Sequence, residues 1–240
     1  MTIVVCIKCS DGVALAADSM LSIGEMQHSG KKIQIIDQRS IFAFAGDLGL
    51  AERFKAFAVA EMPSIYDDPN MLTHAINISR LTADSFKSTH IEPITAQLQT
   101  IIVHPHQDKV EACLFLPFLN PRYLDSNHCY AVLGSGTSAA LPFLAFLLES
   151  LNAEGGPPNL SDGKLFAAWA VTYAIQRLSG GVGGDINVAI ATNGSDGATS
   201  QELSPENVEE LKEHIRSATT YLKRWKQELS FNNSEPPPKP

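Results

Sequence analysis

The chain is predicted to be an α+β protein, a four-layer αββα sandwich in which two antiparallel sheets pack face to face with helices on both outer sides. Three observations lead there. The 240 residues are 44% hydrophobic and only 18% charged, enough apolar surface for one large core. Short branched and apolar runs come in groups, and helical stretches follow them in pairs. That grouping departs from the regular strand and helix alternation of a doubly wound parallel sheet. One domain is expected over residues 1–230, including a C-terminal helix over 205–229, followed by a disordered proline-rich tail over 231–240.

The first four runs, TIVVCIK, GVALAADS, KIQIID and SIFAFAG, read as strands of a β-meander. Turn residues bound them, with a loop expected from Gly24 to Gly30. Leu48 to Met62 has helical spacing and is closed by Pro63, and NMLTHAINISRLTADSFKS gives a second helix. QTIIVHP, KVEACLFL and CYAVL are again strand-like, interrupted by the proline-rich excursion PFLNPRYLDSN. Helices are expected from Ser138 to Leu151 and from a cap at Ser161 and Asp162 to Leu178. DINVAIAT and ATSQELS form a last strand pair. From Pro205, the spacing of Val208, Leu211, Ile215, Ala218 and Leu222 marks a final amphipathic helix.

The formal net charge of -8 has the wrong sign for binding nucleic acid or an anionic membrane surface. The longest strongly apolar stretch, AALPFLAFLL, is about half of the ~20 residues that span a bilayer. No basic segment precedes the apolar residues of MTIVVCIK, so a signal peptide is not expected and the cytoplasm follows by default. Cys6, Cys9, Cys113 and Cys129 are expected to be packing thiols. The C-x-x-C of Cys6 and Cys9 falls on opposite faces of a strand, and no second pair stands at zinc-ligand spacing. His104 and His106 flank Pro105 in what reads as a solvated turn at a strand end. Neither metal nor cofactor is expected. The G-S-G-T-S-A of Gly134 to Ala139 matches a dinucleotide fingerprint locally. The second strand with its acidic residue about 20 positions later is missing.

Several residues could carry chemistry. Asp18 shares a strand face with Ala14 and Ala16, small residues that let it point into a confined space, where a carboxylate needs a cation or several donors. Lys32, starting the third strand, is the natural cation. Gly46 ends an apolar strand ahead of a helix, a placement suited to an amide that stabilises an oxyanion. Each has a plain alternative on its own: a turn-opening Asp, a solvated Lys, a tight-turn Gly. Thr2 alone is a β-branched residue beginning a strand.

Together, Thr2 behind Met1, Asp18 in DGVALAADS, the G-K-K of Gly30 to Lys32, the A-G-D-L-G around Gly46 and the L-G-S-G-T-S-A-A around Ser135 resemble the proteasome β-type subunits in order and approximate spacing. The bacterial members nearest in style are the HslV-type peptidase subunit and the betaproteobacterial proteasome homologues. The resemblance implies an N-terminal nucleophile hydrolase, written here as Ntn hydrolase. Thr2, exposed by loss of Met1, would supply the attacking hydroxyl and the amine that takes its proton. Lys32 would lower the pKa of both groups, Asp18 would hold the ammonium, Gly46 would bind the oxyanion and Ser135 would position the terminal amine. Leu21, Phe44 and Leu48 resemble residues lining the specificity pocket, which implies preference for apolar side chains. In SGGVGGDINV the pattern departs: aligned on Gly183 and Gly184, Ser179 and Val182 stand where the family usually has aspartate and serine.

The function so implied is a self-compartmentalising threonine endopeptidase acting on unfolded polypeptide. It would work inside homo-oligomeric stacked rings of six or seven subunits, with an ATP-dependent unfoldase as the partner class. Two alternatives share the same residues: a non-catalytic or weakly active ring subunit, and an Ntn amidase of small molecules.

Overall fold

Two five-stranded antiparallel sheets form the centre of residues Met1–Leu203, the larger of two compact units into which the chain divides. The computed structural model describes residues 2–23, 26–92, 97–152, 155–178, 181–194 and 197–232. In chain order the strands are β1 (Val4–Lys8), β2 (Gly12–Asp18), β3 (Met20–Ile23), β4 (Met26–Ser29), β5 (Ile33–Ile36) and β6 (Ser40–Gly46). Helices α1 (Leu48–Asp67) and α2 (Met71–Ser88) follow, then β7 (Leu98–His106), β8 (Lys109–Leu116), β9 (Asn120–Tyr123) and β10 (Tyr130–Leu133). After α3 (Thr137–Leu151) and α4 (Leu160–Arg177) come β11 (Ile186–Thr192) and β12 (Thr199–Glu202). One sheet has the order β10-β1-β2-β11-β12 and the other β5-β6-β7-β8-β9, while β3 and β4 pair as a separate ribbon.

Side-chain alternation builds the layers. Val4, Cys6, Val13, Leu15 and Ala17 of the first sheet meet Ile41, Ala43, Ala45, Ile101 and Val103 of the second in a dry core between the sheets. The intervening residues of β6, Phe42 and Phe44, face outward and pack with Phe54, Ala58 and Met62 of α1 and with Ile78 and Phe86 of α2. Each such aromatic ring contributes about 1.5–3 kcal/mol on burial. On the opposite side α4 lies on β1 and β2, and α3 lies on α4 and β10. Gly163 makes that close approach feasible, since a Cβ there would sit 2.3 Å from Cys9 Sγ. Cys6 and Cys9 do face opposite sides, and all four cysteines are free and buried. The four-layer sandwich is therefore the observed fold.

Several local expectations are corrected. The four opening runs are not one meander: β1 and β2 belong to one sheet and β5 and β6 to the other, so the chain crosses between sheets through the β3–β4 ribbon. Part of the expected loop from Gly24 to Gly30 is strand, with residues 24–25 outside the described residues. Helix α1 runs through Pro63 because Met62 and Ile65 are buried on its inner face, while Pro63 and Val59 are exposed. Water can then satisfy the carbonyl that the proline leaves without a donor. The excursion after Pro117 contains β9, an edge strand, where Pro121 is tolerated. Helix α4 is capped two residues earlier than expected, with Asn159 accepting from the Asp162 amide at 2.9 Å. His104 is not in a solvated turn: β7 continues to His106, and the His104 ring is fully buried. Its Nδ1 hydrogen-bonds the Pro105 carbonyl at 2.9 Å and its Nε2 the Tyr123 hydroxyl at 3.1 Å.

The second unit, Ser204–Pro240, consists in its described part of helix α5 (Pro205–Asn232). Arg216 bridges Glu209 and Glu213 along its surface, and Tyr221, Leu222 and Trp225 are exposed. The proline-rich tail falls outside the described residues from position 233 onward. Among the described residues no helix is long and apolar enough to cross a membrane.

Burial pushes the His104 pKa down to about 4. The unfolded chain therefore binds a proton that the folded chain refuses, so stability is complete above about pH 6.5 and is lost as pH falls toward 4. Denaturant titrations should show a loss of about 3 kcal/mol from this group across that interval, and His104→Phe should flatten that part of the profile.

Candidate active site

The site is assembled at one end of the sandwich, where the start of β1, the end of β2, the approach to β5, the end of β6 and the loop after β10 converge. Its centre is the Asp18 carboxylate. Oδ1 accepts from Lys32 Nζ at 2.7 Å and from the Ile3 amide at 2.9 Å, and Oδ2 accepts from the Gly183 amide at 3.0 Å. Asp18 and Lys32 have fully buried side chains. An ion pair in such a place is tolerable only because the carboxylate is so fully hydrogen-bonded. Lys31 shows the contrast: its side chain is 64% exposed and pairs at the surface with Glu202. Desolvation holds the Lys32 pKa below the ordinary lysine value, and the neighbouring Asp18 opposes that shift. The Lys32 carbonyl accepts from the Phe44 amide at 3.1 Å, which fixes the lysine against β6.

Thr2 is 8% exposed and lines a cleft of about 530 Å³ together with Ala45, Gly46, Gln97, Leu98, Gln99, Pro117, Gly134 and Ser135. Its nitrogen donates to Ser135 Oγ at 3.2 Å, and its carbonyl accepts from the Gly136 amide at 3.2 Å. The glycine spacing of the Ser135 loop is what allows this. A Cβ on Gly134, which has φ +89°, would lie 2.2 Å from the Thr2 carbonyl oxygen, and one on Gly136 would lie 2.8 Å from Ile3 Cβ. Gly46, at φ +123°, is equally constrained, for a Cβ would meet the Gln97 carbonyl at 1.8 Å. Asp47 then caps α1 by accepting from the Leu50 amide at 2.9 Å.

Thr2, Asp18, Lys32, Gly46 and Ser135 are thus brought together around one cleft and the carboxylate beneath it. The three residues expected in a specificity pocket stand apart from the cleft walls. Phe44 is buried against Phe42 in the helix-facing core, Leu21 sits on β3 beside Gly30, and Leu48 begins α1 with 41% exposure. Val182 is buried and its side chain offers no polar atom, and Ser179 lies outside the described residues. Sequence reasoning missed Gln97, Gln99 and Pro117. The pairing of β7 with β6, Gly46 opposite Leu98 and Ala45 opposite Gln99, carries the two glutamines to the cleft, and Pro117 reaches it at the end of β8, the strand paired with β7 on its other side. Among the described residues no cluster of three His, Cys, Asp or Glu side chains is placed to hold a metal.

Residues 2–105 match the proteasome subunit family, a stretch that includes Thr2, Asp18, Lys32 and Gly46 but not Ser135. Two solved structures share the fold over their full length. An Anbu (Gly-1) mutant from Hyphomicrobium sp. strain MC1 is 14% identical with a TM-score of 0.70, covering 100% of both chains. Anbu from Yersinia bercovieri, described as an ancestral β-subunit, is 12% identical with a TM-score of 0.70, covering 99% of this chain and 100% of that one. No curated protein matches the chain.

Two glycines with positive φ separate close approach from backbone preference. Gly155→Ala, at φ +67° with nothing within 4 Å, should cost about 1 kcal/mol, whereas Gly134→Ala should cost about 2–4 kcal/mol in equilibrium unfolding.

Proposed function

We propose that the chain is a threonine-type endopeptidase of the proteasome class, acting on unfolded polypeptide with Thr2 as its N-terminal residue once Met1 is removed. The observation that carries this reading is the seating of Thr2. It lies in the cleft with its nitrogen on Ser135 Oγ, and the next residue's amide shares a carboxylate oxygen with the buried ammonium of Lys32. The amine of Thr2, with an ordinary pKa of about 7.7–8.0, is an adequate base near neutral pH. It takes the Oγ proton as Oγ attacks the carbonyl carbon of the scissile bond. The Gly46 amide stabilises the oxyanion that develops, and the Lys32 charge favours the alkoxide character of Oγ. Collapse breaks the C–N bond and passes the proton to the leaving amine. Water, deprotonated by the same amine, then hydrolyses the acyl-Thr2 ester.

The apolar wall of Ala45, Leu98 and Pro117 supports cleavage after apolar side chains, the preference that resemblance attached to Leu21, Phe44 and Leu48. The family likeness supports assembly into stacked homo-oligomeric rings in the cytoplasm, with an ATP-dependent unfoldase delivering substrate. Val182, apolar where the family usually has serine, favours a second reading: a ring subunit with weak or no activity.

Intact mass after treatment with a vinyl sulfone or epoxyketone separates the two. Loss of Met1 and one adduct, absent in Thr2→Ala, is expected; retained Met1 would identify a structural subunit. The rate of adduct formation should rise with pH as the amine loses its proton. It should fall again where Lys32 deprotonates, below the ordinary lysine range because burial disfavours its charge.

A further inference from the structure

The Thr2 nitrogen meets a loop that is also hydrogen-bonded to a residue of the opposite sheet. Thr2 N has Ser135 Oγ as its side-chain partner among the described residues, and Val182 supplies no second hydroxyl. Ser135 sits between two glycines pressed against the Thr2 carbonyl and the Ile3 side chain, so a small displacement of this loop moves its hydroxyl off the nitrogen. Gly134 is held from both sides. Thr137 Oγ1, on the first turn of α3, donates to its carbonyl at 2.6 Å. Its amide donates 2.8 Å to Oε1 of Gln99. Gln99 is on β7 of the second sheet, paired with Ala45, whereas Gly134 follows β10 of the first. That hydrogen bond ties the two sheets together at the cleft itself, and both residues line it with Thr2.

We propose that Gln99 is a positioning residue: its side-chain oxygen, by holding the Gly134 amide, sets Ser135 Oγ against the Thr2 amine. This rests on the reading of Thr2 as nucleophile. The stability contribution of one partly exposed hydrogen bond is modest. Its effect on rate is larger, because a shift of about 1 Å in a catalytic group can cost about 100-fold.

The test uses the full chain as wild type, Gln99→Leu and Gln99→Glu. It follows adduct formation with a vinyl sulfone by intact mass across pH 5–10, with unfolding midpoints measured alongside. Asp18 and Lys32 are unchanged in all three. Gln99→Leu, which keeps the bulk and loses the acceptor, should react about 10–100-fold more slowly at its optimum. Its rising limb should move to lower pH, because the charged amine loses the Ser135 oxygen that stabilised it. Gln99→Glu keeps an acceptor for Gly134 and should hold the maximal rate within about threefold, with the limb moved to higher pH by its added charge. A Gln99→Leu protein that reacts at the wild-type rate with an unmoved limb, or slows only in proportion to its unfolded fraction, overturns the proposal. A wild type that forms no adduct overturns the nucleophile reading and the role of Gln99 with it. A reactive wild type beside an unaffected variant removes only Gln99.

Discussion

One buried carboxylate organises this end of the molecule. Asp18 joins the beginning of the chain through the Ile3 amide, the second sheet through Lys32 and the turn before β11 through the Gly183 amide. Neither charge could be buried without the other, and three hydrogen bonds to one carboxylate offset its desolvation. The consequence reaches the cleft directly. The Ile3 amide and Lys32 Nζ share one carboxylate oxygen, and Thr2, the residue before Ile3, lines the cleft with its nitrogen on Ser135 Oγ.

Around that pair the backbone is drawn closer than side chains would allow. Gly46 and Gly134 adopt positive φ at points where any Cβ would meet a carbonyl, and both lie at the edge of the same cleft. Glycine at these positions costs conformational entropy on folding. What it secures is the close approach of these two turns to the Gln97 and Thr2 carbonyls, which draws both into the cleft wall. The large cores on either side of the second sheet supply the stability against which such local costs are set.

Much of this was legible in the sequence, for reasons that differ by residue. Alternation and grouping of apolar runs gave the layers, since the period of two survives without knowledge of partners. Asp18, Lys32, Gly46 and Ser135 could be picked out because each is a polar or glycine residue at the end of an apolar strand, in an order that resembles a known family. The division of the opening strands between two sheets was not legible, because the same hairpin pattern suits one sheet or two. The helix running through Pro63 and the burial of His104 both depend on which face meets the core, a tertiary matter. Gln99 illustrates the limit most clearly: nothing local distinguishes it from Gln97, and only its register against Ala45 brings it to Gly134. Phe44, one residue from Ala45 of the cleft, shows the same parity rule from the other side.

The account stands on the coupling between Asp18 and Lys32, and a double-mutant cycle measures it. Chemical denaturation of wild type, Asp18→Asn, Lys32→Met and the double variant, at one protein concentration, gives the interaction energy. Each single change should cost about 3–5 kcal/mol by leaving its partner buried and unmatched, and the double variant should cost at least about 2 kcal/mol less than their sum. Additive losses, or a Lys32→Met protein as stable as wild type, would contradict a charged, mutually dependent pair at the centre of the site.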